Sequence, residues 1–157
     1  GESSGIRKDM AVVTNEGVVG RVLRTTHSTS DFVTVLDLLS AVDSFVARSR
    51  ARGIVTGRTD SVCQLKYALR TDDIEPGDVL ISSGLGGIFP KGIPVGTVSK
   101  VDRKAFGISQ DVEVRPSVDF SRLEEVLVVT HAESIPLIEK PREKQQTVKK
   151  PARTGAA

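Results

Sequence analysis

The chain has no tryptophan, one tyrosine, one methionine, one cysteine and two histidines in 157 residues. Each scarcity excludes something. A lone Cys63 permits no internal disulfide and no cysteine zinc site. Its alternation with Leu65 and Tyr67 reads as a small buried hydrophobe on a strand rather than a reactive thiol. His27 and His131 have no second histidine or cysteine at ligand spacing and stand among polar residues, so neither a metal nor another cofactor is expected. The six aromatics do not pair on a strand face with Arg or Lys, which argues against the stacking platform of a nucleic-acid-binding barrel. A run of about eighteen apolar residues is missing, so no segment reads as a membrane-spanning helix. A signal peptide is not recognisable either. The chain opens Gly1-Glu2-Ser3-Ser4 without a methionine and reads as a piece of a longer protein.

Charge of one sign is also missing from the body. The net charge is +2, but Lys140, Arg142, Lys144, Lys149, Lys150 and Arg153 against Glu139 and Glu143 place +4 after residue 138, leaving −2 before it. A nearly neutral body with a basic tail does not match a nucleic-acid domain, whose cations share one folded face. Residues 132–157 lose their apolar runs after Ile138 and are expected to be a disordered basic tail. The functional alternative for that tail is a tether to anionic lipid or cell-wall polymer.

What the chain does have is valine, glycine and alternation. Cys63-Gln64-Leu65-Lys66-Tyr67 and Asp111-Val112-Glu113-Val114-Arg115 each put apolar side chains on one face of a strand. Further strands are expected at 10–14, 18–24, 32–37, 44–48, 53–56, 78–82, 95–101 and 126–130. Many short strands at such intervals predict an all-β protein of small barrels or sandwiches. Leu38, Val42 and Phe45 fall at helical spacing and allow one or two helical turns there, with Asp37 or Ser40 as cap. A single turn is expected at Ser121–Glu125, capped by Asp119 or Ser121. A weak internal repeat joins strand, turn and second strand: Met10–Thr14 leading to Gly17-Val18-Val19-Gly20, and Val79–Ser83 leading to Gly92-Ile93-Pro94-Val95-Gly96. This is the pattern of two related small lobes.

The densest signal is the stretch from Gly77 to Val98, GDVLISSGLGGIFPKGIPVGTV. Its Gly/Pro loop demands positive φ and close backbone packing. It is not a phosphate-binding loop, because it lacks GxxxxGK[ST] and GxGxxG and no helix follows it. This run, together with Gly5–Thr14, Gly17–Val22, Val114–Phe120 and Leu123–Val129 in the same order, resembles the extracytoplasmic domain of the bacterial rod shape-determining protein family MreC. The resemblance covers roughly residues 5–130, with Ser82 where the family usually has threonine. The family's cytoplasmic tail, membrane-spanning helix and coiled coil have no counterpart here.

Two other chemistries compete with this reading. His27, Asp37 and Ser83 follow the order of a chymotrypsin-like triad. However, Ser83 lacks a GDSGG-like turn, and separations of 10 and 46 residues are too tight to bridge two barrels. Asp72-Asp73 and Glu124-Glu125 are neighbours whose side chains diverge, so they read as solvated or capping. Arg48, Arg50 and Arg52 read as a solvated edge before Gly53. A degenerate chymotrypsin-like serine protease and an RNA-binding β-barrel remain the alternative functions.

The expected fold is therefore all-β, two small antiparallel barrels resembling chymotrypsin halves, with helical turns at most. A first lobe is expected at 5–50, possibly completed by 115–131, and a second at 51–114. The resemblance implies a non-catalytic scaffold of the cell-elongation machinery on the periplasmic face of the inner membrane. It implies binding to a class B penicillin-binding protein, links to MreB and MreD, and self-association through the coiled coil. No nucleic acid is expected as a partner, and the membrane only through the spanning helix. Gly84, Gly86, Gly87, Pro90, Gly92, Pro94 and Gly96 are expected to shape the loop, with Phe89 as a plug. Leu85, Ile88, Phe89 and Phe45 are the candidate partner anchors.

Overall fold

Valines at every second position leave one strand face to bury, and antiparallel pairing buries it. The computed structural model describes residues 1–103 and 107–130. In chain order the strands are β1 (Ala11–Thr14), β2 (Gly17–Thr25), β3 (Ser30–Thr34), β4 (Val42–Val46), β5 (Arg52–Gly57), β6 (Cys63–Lys66), β7 (Val79–Ser82), β8 (Pro94–Asp102), β9 (Asp111–Pro116) and β10 (Leu127–Val128). Helical structure among the described residues is two single 3-10 turns, Glu2–Ser4 and Phe120–Arg122. Asp119 caps the second, its carboxylate accepting the Ser121 N–H at 3.0 Å.

Strands β4-β5-β6-β9-β8-β7 close into a six-stranded barrel, and β10-β1-β2-β3 form a four-stranded sheet. The all-β, two-lobed expectation matches this; the barrel lobe closes, whereas the other lobe is an open sheet. The expected boundary at residue 50 needs correction. Strand β4 belongs to the barrel, because it pairs with β5 through Val42↔Val55 and with β7 through Ser44↔Ser82. Barrel pairing also runs past residue 114, with Thr97↔Arg115 and Gly96↔Pro116. Strand β10 pairs with β1 through Val12↔Val128.

The helical window at Leu38–Phe45 is a turn followed by β4. Leu38 is 72% exposed, while Val42, Ser44 and Val46 are buried in strand alternation. The turn forms because the Asp37 carboxylate accepts the Leu39 N–H at 2.8 Å, a local bond that competes with helix. The expected basic tail, 132–157, and His131 lie outside the described residues.

One core cluster spans both lobes. Ala11, Val18 and Val35 from the sheet side pack with Val46, Val55, Leu65, Leu80, Val98 and Val114 of the barrel. The other face of the sheet, Val12, Val19 and Val22, is covered by Val118 with Ile6, Met10, Phe120 and Leu123. Cys63 sits in the shared core, its thiol 3.2 Å from the Val35 carbonyl. Burial pushes that thiol up to about 12, so it stays protonated and unreactive.

Candidate partner-binding surface

The loop between β7 and β8 is built from the neck outward. At the neck, the Ser82 N–H donates to the Ile93 carbonyl at 2.9 Å, and the Gly92 N–H donates to the Ser82 carbonyl at 2.8 Å. The Ser82 hydroxyl, fully buried, donates to the Pro90 carbonyl at 2.6 Å and accepts the Ile93 N–H at 2.9 Å. Threonine supplies the same hydroxyl, which explains why serine serves at this position. Beyond the neck, Gly84, Gly86 and Gly87 take φ of 78°, 87° and 73°, a region other residues enter at a cost. Phe89 is 6% exposed and lies in the barrel core, while Ile88 packs partly against it.

The outer limb of the loop is tied to the barrel wall by a polar relay. The Leu85 N–H donates to Ser83 Oγ at 3.2 Å, and Ser83 Oγ donates to Asp43 Oδ1 at 2.6 Å. Arg52 donates to the same oxygen at 3.0 Å, and the Ser83 N–H reaches the Asp43 carbonyl at 3.0 Å. This relay presents Leu85 outward, 55% exposed. Phe45 is half-buried with the Arg50 guanidinium 5.1 Å from its ring centroid, a cation–π distance. Phe45, Arg50, Arg52, Ser83, Leu85 and Lys91 together line a shallow hollow of about 290 Å³.

Of the four candidate anchors, then, Leu85 and Phe45 meet in one hollow, Ile88 packs partly against the core, and Phe89 lies within it. Asp43, Ser83 and Arg52 as loop-positioning residues were missed. A hydroxyl beside a Gly-rich turn was a usable signal for the serines. Asp43 gave none, since its partner comes from a distant strand.

The three basic residues before Gly53 part company. Arg48 clamps Asp78 (2.8 and 2.9 Å) and Asp73 (2.7 and 3.0 Å), Arg50 covers Phe45, and Arg52 binds Asp43. The bonds from Arg48 hold both carboxyls below their ordinary range; at Asp78 the Glu75 N–H adds to this. No hydrogen bond is found between any two residues of the candidate triad, and the Asp37 and Ser83 side chains bond elsewhere. His27 offers its carbonyl to Ser3, Asp37 holds the Leu39 turn and Ser83 donates to Asp43. Among the described residues no group of three His, Cys, Asp or Glu converges on a metal-sized site.

A closed six-stranded barrel and a four-stranded sheet sharing one core, with a glycine-shaped loop bonded to the barrel wall, define an all-β domain. Residues 1–130 match the family model for the barrel core of the rod shape-determining protein MreC. The cell shape-determining protein MreC of Listeria monocytogenes is 34% identical over 134 residues, covering 82% of this chain and 45% of that protein. The chain belongs to the MreC family. It spans less than half the length of that relative. The crystal structure of MreC from Pseudomonas aeruginosa superposes with a TM-score of 0.79 at 32% identity, over 82% of this chain and 84% of that one. Two more distant structures share the fold. One is a major periplasmic domain of the cell shape-determining filament MreC, with TM-score 0.65, 22% identity and 76% and 75% coverage. The other is a complex between a penicillin-binding protein (PBP2) and MreC from Helicobacter pylori, with TM-score 0.56, 18% identity and 67% and 65% coverage.

Proposed function

We propose that this chain is the partner-binding β domain of a non-catalytic scaffold that binds and positions a class B penicillin-binding protein during cell elongation. Membership of the MreC family supports the role, and a fold relative complexed with a penicillin-binding protein supports the partner. The observation that carries the reading is Leu85, an exposed aliphatic side chain held outward beside Phe45 by the Ser83–Asp43–Arg52 relay. A rigid, preorganised anchor of this kind limits the ordering entropy lost on binding. Leu85 and Phe45 are the proposed contacts, with Ile88 at the margin. Phe89 and the loop residues Gly84, Gly86, Gly87, Pro90, Gly92, Pro94 and Gly96 hold the shape.

The scaffold would act by binding one conformation of the synthase better than another, shifting its population by that affinity difference. A periplasmic location is proposed with it, as is anchoring through a spanning helix outside these residues. Association with MreB and MreD, and self-association through a coiled coil, complete the reading. Calorimetry of the chain with the extracytoplasmic region of the penicillin-binding protein tests it. Leu85→Asp should weaken binding about tenfold or more with the melting temperature unchanged. Unchanged affinity in that variant would place the interface elsewhere.

A further inference from the structure

The hollow around Leu85 carries more positive charge than the fold uses. Of its three cations, Arg52 is paired with Asp43 at 3.0 Å. Arg50 and Lys91 have no ion pair among the described residues. Arg50 leaves the tight β4–β5 turn at φ 66° and lies over the Phe45 ring. Lys91 runs alongside Gly84, where an added Cβ would stand 3.0 Å from that of Lys91. Two cations without an ion pair among the described residues therefore flank two apolar side chains, Leu85 and Phe45, on one face of the barrel.

Resting on the partner reading above, we infer that this hollow receives an acidic segment of the penicillin-binding protein, an apolar side chain flanked by Asp or Glu. The apolar side chain would sit between Leu85 and Phe45. A carboxylate on one side would meet the Arg50 guanidinium, which lies over the Phe45 ring and whose fork of N–H groups suits a two-point bond. A second carboxylate would meet Lys91. Complementary charge around a small apolar centre sets orientation and partner choice more than it sets bulk affinity. A hollow this shallow accepts a side chain, whereas an acyl chain needs a deeper groove, so a peptide is favoured over a lipid surface.

The test is calorimetry of the 157-residue chain against the extracytoplasmic region of the class B penicillin-binding protein, at about 50 and about 300 mM NaCl. Affinity should fall several-fold at the higher salt. Arg50→Glu and Lys91→Glu should each weaken binding by about tenfold at low salt and flatten the salt dependence. Arg50→Lys and Lys91→Arg should retain most of both. Melting curves of the two Lys91 variants and of Arg50→Lys should match the parent, whereas Arg50→Glu should melt slightly lower because it loses the cation–π contact with Phe45. Binding that ignores salt and survives both reversals would overturn the acidic-segment inference while leaving the partner reading in place. No binding in either salt would overturn both. Capture by vesicles of anionic phospholipid, lost in the same two reversals, would assign the hollow to a membrane and overturn the peptide assignment.

Discussion

At the scale of single residues, one buried hydroxyl and one ion cluster stand out. Ser82 Oγ satisfies the Pro90 carbonyl and the Ile93 N–H inside the loop neck. Ser82→Ala leaves both backbone groups without that partner in a buried place and should cost about 1–3 kcal/mol. Ser82→Thr keeps the hydroxyl and should lose less, so denaturant unfolding of the pair separates hydrogen bonding from packing. Equal losses would refute the hydroxyl's role. Asp78 is 8% exposed and accepts from Arg48 and the Glu75 N–H. Its pKa is held below the ordinary 3.8 by those bonds. A carboxyl depressed in the folded state adds stability above the ordinary value and loses it as pH falls through the folded value. Asp78→Asn should therefore destabilise at neutral pH, and its deficit against the parent should shrink as acid protonates the parent. Urea midpoints between about pH 5 and pH 1 would show this. A constant deficit would mean that the charge is irrelevant.

Elements show what a sequence can and cannot reveal. The expected repeat of strand, turn and glycine-bearing strand is present in the pairing. Val12 faces Gly20 and Leu80 faces Gly96, and each hairpin shifts register immediately after that pair. A Cβ at Gly20 would collide with the Val33 carbonyl of β3, and one at Gly96 would lie 2.6 Å from the Arg115 carbonyl of β9. The glycines mark where the next strand crosses, and such marks are legible because hairpins are local. The loop was legible for the same reason: its glycines announce positive φ. The placement of β4 was not legible, because its pairing with β7 joins Ser44 to Ser82 and nothing local encodes that choice. The Ser83–Asp43 bond was hidden likewise. The loop prediction follows from the φ values. Gly86→Ala and Gly87→Ala have open space for the methyl, so each should cost about 1 kcal/mol from conformation alone. Gly84→Ala also meets Lys91 and should cost more. Thermal melts of the three rank the two causes, and wild-type melting of Gly86→Ala and Gly87→Ala would remove the conformational argument.

Across the whole molecule, sheet and barrel are separate in pairing yet single in packing. Val35, which follows β3, is fully buried; its N–H bonds to the Val19 carbonyl at 2.9 Å and its own carbonyl receives the Cys63 thiol. The Gly57 N–H of β5 donates to the Asp37 carbonyl at 3.1 Å, and a Cβ on Gly57 would strike the Leu36 carbonyl. The segment from Val35 to Asp37 is thus a seam shared by both lobes, and their common core contains residues of each. Neither lobe keeps its buried face covered if the other opens, so the described body should unfold as one unit. That unity also bears on function, because the loop relay rests on β4 and β7 of the same barrel and gains its rigidity from the whole. Val35→Ala removes two buried methyl groups at the seam and should cost about 2–3 kcal/mol. Its effect should be global: amide exchange under increasing denaturant should report one opening free energy for Val19 in the sheet and Val98 in the barrel, lowered equally by the substitution. Two distinct opening energies, or a loss confined to Val19, would show that the lobes are independent and that the seam does not couple them.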